Sequence, residues 1–95
     1  MKAVLTYTTM IDGKAVEQTR LFDTTKAKKI CDVKNGFGNK VQEIYITDKG
    51  VVFLHTTTGS GKIEIADQKK IKEWIGEHKP DKYIEFFGED RKSVV

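Results

Sequence analysis

Three side chains in this sequence have the intrinsic chemistry of nucleophiles, proton shuttles or soft metal ligands: Cys31, His55 and His78. Nucleophilic catalysis needs a base within hydrogen-bond reach of the nucleophile and a third group to orient that base. Structural zinc needs four ligands, usually in close pairs. These three residues are widely spaced and fall in separate segments, so neither arrangement is legible. No metal, cofactor or catalytic residue is expected, and a non-enzymatic role follows. Glu73 and Glu77 are a carboxylate pair at i, i+4, which a helix would turn toward solvent.

Two glycine-bearing stretches invite a phosphate-binding reading and fail it. Thr57-Thr58-Gly59-Ser60-Gly61-Lys62 has Thr56 where a phosphate loop needs its first glycine. It is followed by Ile63 and a strand rather than Ser or Thr and a helix. Gly36-Phe37-Gly38 lacks the third glycine of a dinucleotide fingerprint. Both read as turns.

The elements that must position these residues are written in periodicities. Residues 2–9 and 14–22 are β-prone runs flanking Asp12-Gly13, a strong hairpin signal because the turn needs positive φ. Ala3, Leu5 and Tyr7 share one face of that hairpin. Asp23 or Thr24 then opens a helix expected over 25–34, with Ala27, Ile30, Cys31 and Lys34 at i, i+3, i+4 and i+7. Asn35-Gly36 ends it. Residues 43–47 and 52–55 alternate around Asp48-Lys49-Gly50, and 62–65 add a third strand. Ile44, Ile46, Val52, Leu54, Ile63 and Ile65 are expected on the core face. Asp67 caps a helix over 68–78 bearing Ile71, Trp74 and Ile75. Pro80 opens a short helix over 80–87 with Tyr83, Ile84 and Phe87 inward, against a competing strand over 82–87. The fold class is α+β, one domain over 1–88. An antiparallel sheet of four or five strands carries two or three helices on one face, in ββα-βββ-αα order, and 89–95 form a frayed tail.

Composition narrows the functional classes. Basic residues outnumber acidic ones 17 to 14, a net charge of +3, short of a polycationic nucleic-acid protein. The excess lies within 24–40, which holds Lys26, Lys28, Lys29, Lys34 and Lys40 against Asp32 alone. One cysteine excludes an intrachain disulfide. The opening residues carry no apolar run of signal-peptide length, so a cytoplasmic, soluble protein without membrane contact is expected.

With the isoleucines facing inward, Tyr45, Phe53 and His55 project from the opposite sheet face as a candidate partner-binding patch. The competing arrangement is that the first hairpin or the last helix covers that face. The leading functional expectation is a small regulatory or accessory protein acting by contact with a protein partner or with itself. The alternative is a nucleic-acid-binding regulator using Lys26, Lys28, Lys29, Lys34 and Lys40 with Phe37 nearby.

The stretch Tyr45-x-Thr47-x-x-Gly50-x-x-Phe53-Leu54-His55, the helix with Lys72-Glu73-Trp74, and the ending Tyr83-Ile84-Glu85-x-Phe87-Gly88 resemble small bacterial proteins of no established activity. In these a hairpin of that pattern precedes a capped helix and a Tyr-x-x-x-Phe-Gly terminus. The likeness covers residues 43–88. It implies a helical ending and a bacterial origin, and assigns no functional residue.

Overall fold

The computed structural model describes residues 1–88, so the expected frayed tail, 89–95, lies outside the described residues. The chain opens with a long ribbon of β1 (Lys2–Ile11) and β2 (Lys14–Asp23), paired in unbroken register from Lys2↔Asp23 to Ile11↔Lys14. Asp12 and Gly13 close it at φ of 52° and 77°. Two successive positive φ values match the twist of the flanking strands, and few residues other than Asp, Asn and Gly adopt them.

A second, four-stranded antiparallel sheet follows in the order β3-β4-β5-β6. Its strands are β3 (Lys28–Lys34), β4 (Lys40–Ile46), β5 (Val52–Thr56) and β6 (Lys62–Ile65). Then come α1 (Gln68–His78) and α2 (Pro80–Phe87), so the ending is helical. The fold is α+β, with antiparallel sheets and both helices against one face of the larger one.

The helix expected over 25–34 is absent. A turn at 24–27 leads into β3, and the reason lies in a bulge. Lys29 pairs with Tyr45 and Cys31 with Ile44, leaving Ile30 as the extra residue. Ile30 and Cys31 both enter the helix-side core. A bulge lets sequence neighbours share a face, and that adjacent apolar pair imitates helical spacing.

The larger sheet is covered on both sides. Ile44, Ile46, Val52 and Leu54 meet Ile71, Trp74, Ile75, Tyr83 and Phe87 from the helices, as their alternation requires. On the other side Phe22, Ala3, Leu5 and Tyr7 of the ribbon pack on Phe53, Tyr45, Ile63 and Ile65. Ile63 and Ile65 therefore do not share a face with Ile44. They are the cross-strand partners of His55 and Phe53, and must point as those do. Ile84 was expected inward but is exposed, while Phe86 packs on the core in its place.

Asp67 caps α1 by accepting from the Lys70 amide at 3.1 Å. The next residue, Gln68, fastens α1 to the sheet. Its carboxamide accepts from Val52 N at 2.8 Å and donates to Val52 O at 2.8 Å. One side chain thus satisfies both backbone groups of Val52, as a neighbouring strand would. Among the described residues no helix is long and apolar enough to cross a membrane.

Candidate functional site

Phe53 sits at the centre of β5 and is 0% exposed. Phe22 of the ribbon meets it edge-on at 5.2 Å between ring centroids, and Tyr45 stacks on it at 5.5 Å. The expectation of an exposed Tyr45–Phe53–His55 patch is therefore corrected. The three do share the sheet face opposite the helices, but the ribbon covers it. Phe53 is core, and Tyr45 and His55 are half-buried at the ribbon's margin.

At that margin the side chains converge on Glu43. This carboxylate is buried, and β-pairing places His55 and Asp32 directly opposite it on the two neighbouring strands. Glu43 Oε1 accepts from Tyr45 OH at 3.0 Å and lies 2.9 Å from His55 Nδ1. Oε2 accepts from Lys40 Nζ at 2.9 Å and Lys29 Nζ at 3.3 Å. Lys29 also pairs with Asp32 at 2.6 Å. Burial alone would raise the Glu43 carboxyl, but hydrogen bonds from Lys40, His55, Tyr45 and Lys29 outweigh it and hold the group at about 2. Because Glu43 is ionised at neutral pH, the proton on the short contact belongs to His55 Nδ1. Burial, then the Glu43 carboxylate, push the Tyr45 phenol up.

A carboxylate that orients an imidazole is one half of a nucleophile-activating triad. Cys31 does not supply the other half. Cys31 is packed in the helix-side core, with the sheet between it and His55, and burial pushes its thiol up. A protonated, enclosed thiol is a poor nucleophile. His78 is far from this cluster in the fold, stacked on Trp74 at 4.5 Å. The Glu43 group is a charge-balanced cluster that holds β3, β4 and β5 together. Among the described residues no set of three or more His, Cys, Asp or Glu side chains is disposed to hold a metal ion.

The five lysines proposed for nucleic acid divide into two groups. Lys29 and Lys40 neutralise Glu43 and Asp32. Lys26, Lys28 and Lys34 make no ion pair among the described residues. Beyond Lys34, the turn joining β3 to β4 carries Phe37 at its tip, 91% exposed. The turn is well fastened. Asn35 Oδ1 accepts from Phe37 N at 2.8 Å and Asn39 N at 3.1 Å, while Asn35 N donates to Asn39 O at 2.9 Å.

Further exposed apolar side chains lie on the ribbon. Val4 and Leu21 are direct cross-strand partners on the outer face of the ribbon, 66% and 55% exposed. Met10 is 68% exposed near the ribbon's far end, and Ile11 and Val16 flank the turn, also exposed. Among the described residues neither β1 nor β2 pairs with a third strand. The signal was present in the sequence: Val4, Thr6, Thr8 and Met10 alternate with Leu5 and Tyr7, so one set had to face away from the core. At its C-terminal end the free edge of β2 borders a cavity of about 240 Å³, walled across from it by the turn between β4 and β5. Comparison with known proteins finds no matching family profile, no matching curated relative and no matching solved structure.

Proposed function

We propose that this chain is a non-enzymatic accessory or regulatory protein that works by contact with another protein, and that the β1–β2 ribbon is its contact element. One observation carries the reading. Five of the large exposed hydrophobic residues, Val4, Met10, Ile11, Val16 and Leu21, belong to this ribbon, whose edges lack strand partners among the described residues. Exposed apolar surface together with unpaired backbone donors and acceptors favours strand addition by a partner, in which main-chain hydrogen bonds supply affinity.

A photo-crosslinking amino acid placed at Leu21, with a control at exposed Ile84, tests this in producing cells. Leu21 should yield protein adducts and Ile84 none. Adduct mass separates a second copy, which adds 10.8 kDa, from a different protein. A Val4→Asp variant carrying the crosslinker at Leu21 should lose the adducts while its unfolding midpoint changes little, because exposed substitutions usually move stability by within about 0.5 kcal/mol. Equal labelling from both positions, or none from Leu21, rejects the reading.

A second reading has its own observation, the braced and exposed Phe37 beside unpaired Lys34. A ring on a rigid tip next to a free cation suits stacking on an unpaired base with a phosphate alongside. Each such stack is worth roughly 1–3 kcal/mol. Binding of a labelled single strand should then fall steeply with salt and weaken in Phe37→Ala. Absent or salt-insensitive binding at about 50 mM salt rejects this alternative.

A further inference from the structure

The cavity beside β2 has features that the ribbon alone does not explain. Leu21 points outward and Phe22 inward, yet both line it, so it opens on the free edge of the strand. Its apolar wall is Tyr7, Phe22, Ala27 and Val51. About 240 Å³ is below the roughly 300–1,000 Å³ of small-molecule sites and suits one large side chain.

The rim is cationic in effect. Arg20, Lys26 and Lys49 border the cavity, and none makes an ion pair among the described residues. Two carboxylates also line it. Asp23 keeps its charge while accepting from Thr25 N at 2.9 Å and Thr25 Oγ1 at 2.7 Å, so three cations stand against two carboxylates and the rim keeps an excess of one positive charge.

We propose that an extended segment of a partner protein adds to the free edge of β2 and drops one aromatic or branched aliphatic side chain into this cavity, with acidic neighbours meeting Arg20, Lys26 and Lys49. The inference rests on the protein-contact reading and names the chemistry of its partner. A second copy of β2 is a poor occupant. A twofold axis between antiparallel strands keeps faces matched, so the copy would bring Lys14 and Arg20 to the inward side, cations against cations. An acidic, apolar peptide matches both features, main-chain pairing for affinity and the pocket for specificity.

The test is a selection of random displayed peptides against the whole protein at roughly 50 mM salt, where charge complementarity is weakly screened. Enriched peptides should carry an aromatic or branched residue flanked by Asp or Glu. Replacing that residue with Ala, or using a Lys26→Glu/Lys49→Glu protein, should weaken binding about tenfold or more. Both lysines are exposed, so the reversed protein should keep its unfolding midpoint. Ala27→Trp, which fills the cavity, should also block binding, and its melting curve shows whether it has folded. Bound peptide should slow hydrogen exchange of β2 amides. Basic winners, winners indifferent to the rim reversal, or no winners that slow β2 exchange overturn the proposal. Peptides that protect β2 yet ignore the rim reject the pocket and leave the contact reading standing. Intact pocket binding without Leu21 adducts in cells does the reverse.

Discussion

Phe53 and Glu43 lie on one face of the same sheet and show what a buried position demands of each kind of side chain. Phe53 makes ring contacts with Phe22 and Tyr45 and has no accessible surface, so truncation leaves a void that the surrounding strands cannot close. Phe53→Ala should lower stability by about 3–5 kcal/mol in urea titrations. A loss within 1 kcal/mol would mean that the ribbon does not seal the sheet. Glu43 is held by four donors, and its carboxyl is depressed from 4.5 to about 2. A depressed carboxyl stabilises the fold above its unfolded value, and the contribution fades as protons bind. Stability should therefore be lost as pH falls from about 4.5 toward 2, and Glu43→Gln should flatten that part of the profile. An unchanged acid limb in the variant would remove Glu43 as its cause. Alternation in the sequence put Tyr45 and Phe53 on the correct face. It could not reveal that the ribbon folds back over them, because coverage depends on contacts between distant segments. The role of Glu43 was illegible for a related reason: its partners come from three strands.

At the scale of elements, the periodic segments were correctly read as strands and helices, though Ile63 and Ile65 were put on the wrong face, and the irregular segment was misread. The Asp12-Gly13 hairpin, the β4–β5 pair and the Asp67-capped helix each follow from local chemistry, a turn, an alternation or a cap. The segment 25–34 failed because one extra residue in β3 disrupts period two just where Ile30 and Cys31 fall. Gln68 is an element-level device as well, since its carboxamide stands in for strand pairing at Val52. Gln68→Met keeps the length and leaves both Val52 groups without those partners. It should cost about 1–3 kcal/mol and speed hydrogen exchange at the Val52 amide. Unaltered exchange there would show that α1 docks by packing alone.

The whole molecule is a sheet closed on both faces, by helices on one side and a ribbon on the other. Closure moves accessible chemistry outward, to the ribbon's outer face and free edge and to the Phe37 tip. It also isolates Cys31. Burial keeps that thiol protonated, so alkylation should require opening of the helix-side core. Labelling by a neutral-pH thiol reagent should track the globally unfolded fraction as urea is raised. Rapid labelling without urea would show that α2 detaches from β3 independently.

The irregularity at Ile30 has a consequence of parity. In a regular strand, positions three apart point to opposite sides. Here the additional residue brings Lys29 and Asp32 to the same side, where they meet at 2.6 Å next to Glu43. Excising either Ile30 or Cys31 would restore simple alternation, leaving Lys29 and Asp32 two apart, on one side, and both flanks in register with β4. What is lost is one apolar side chain from the helix-side core. Removal of that one amino acid should thus spare the electrostatic clasp on Glu43 and cost mainly core packing on the helix side.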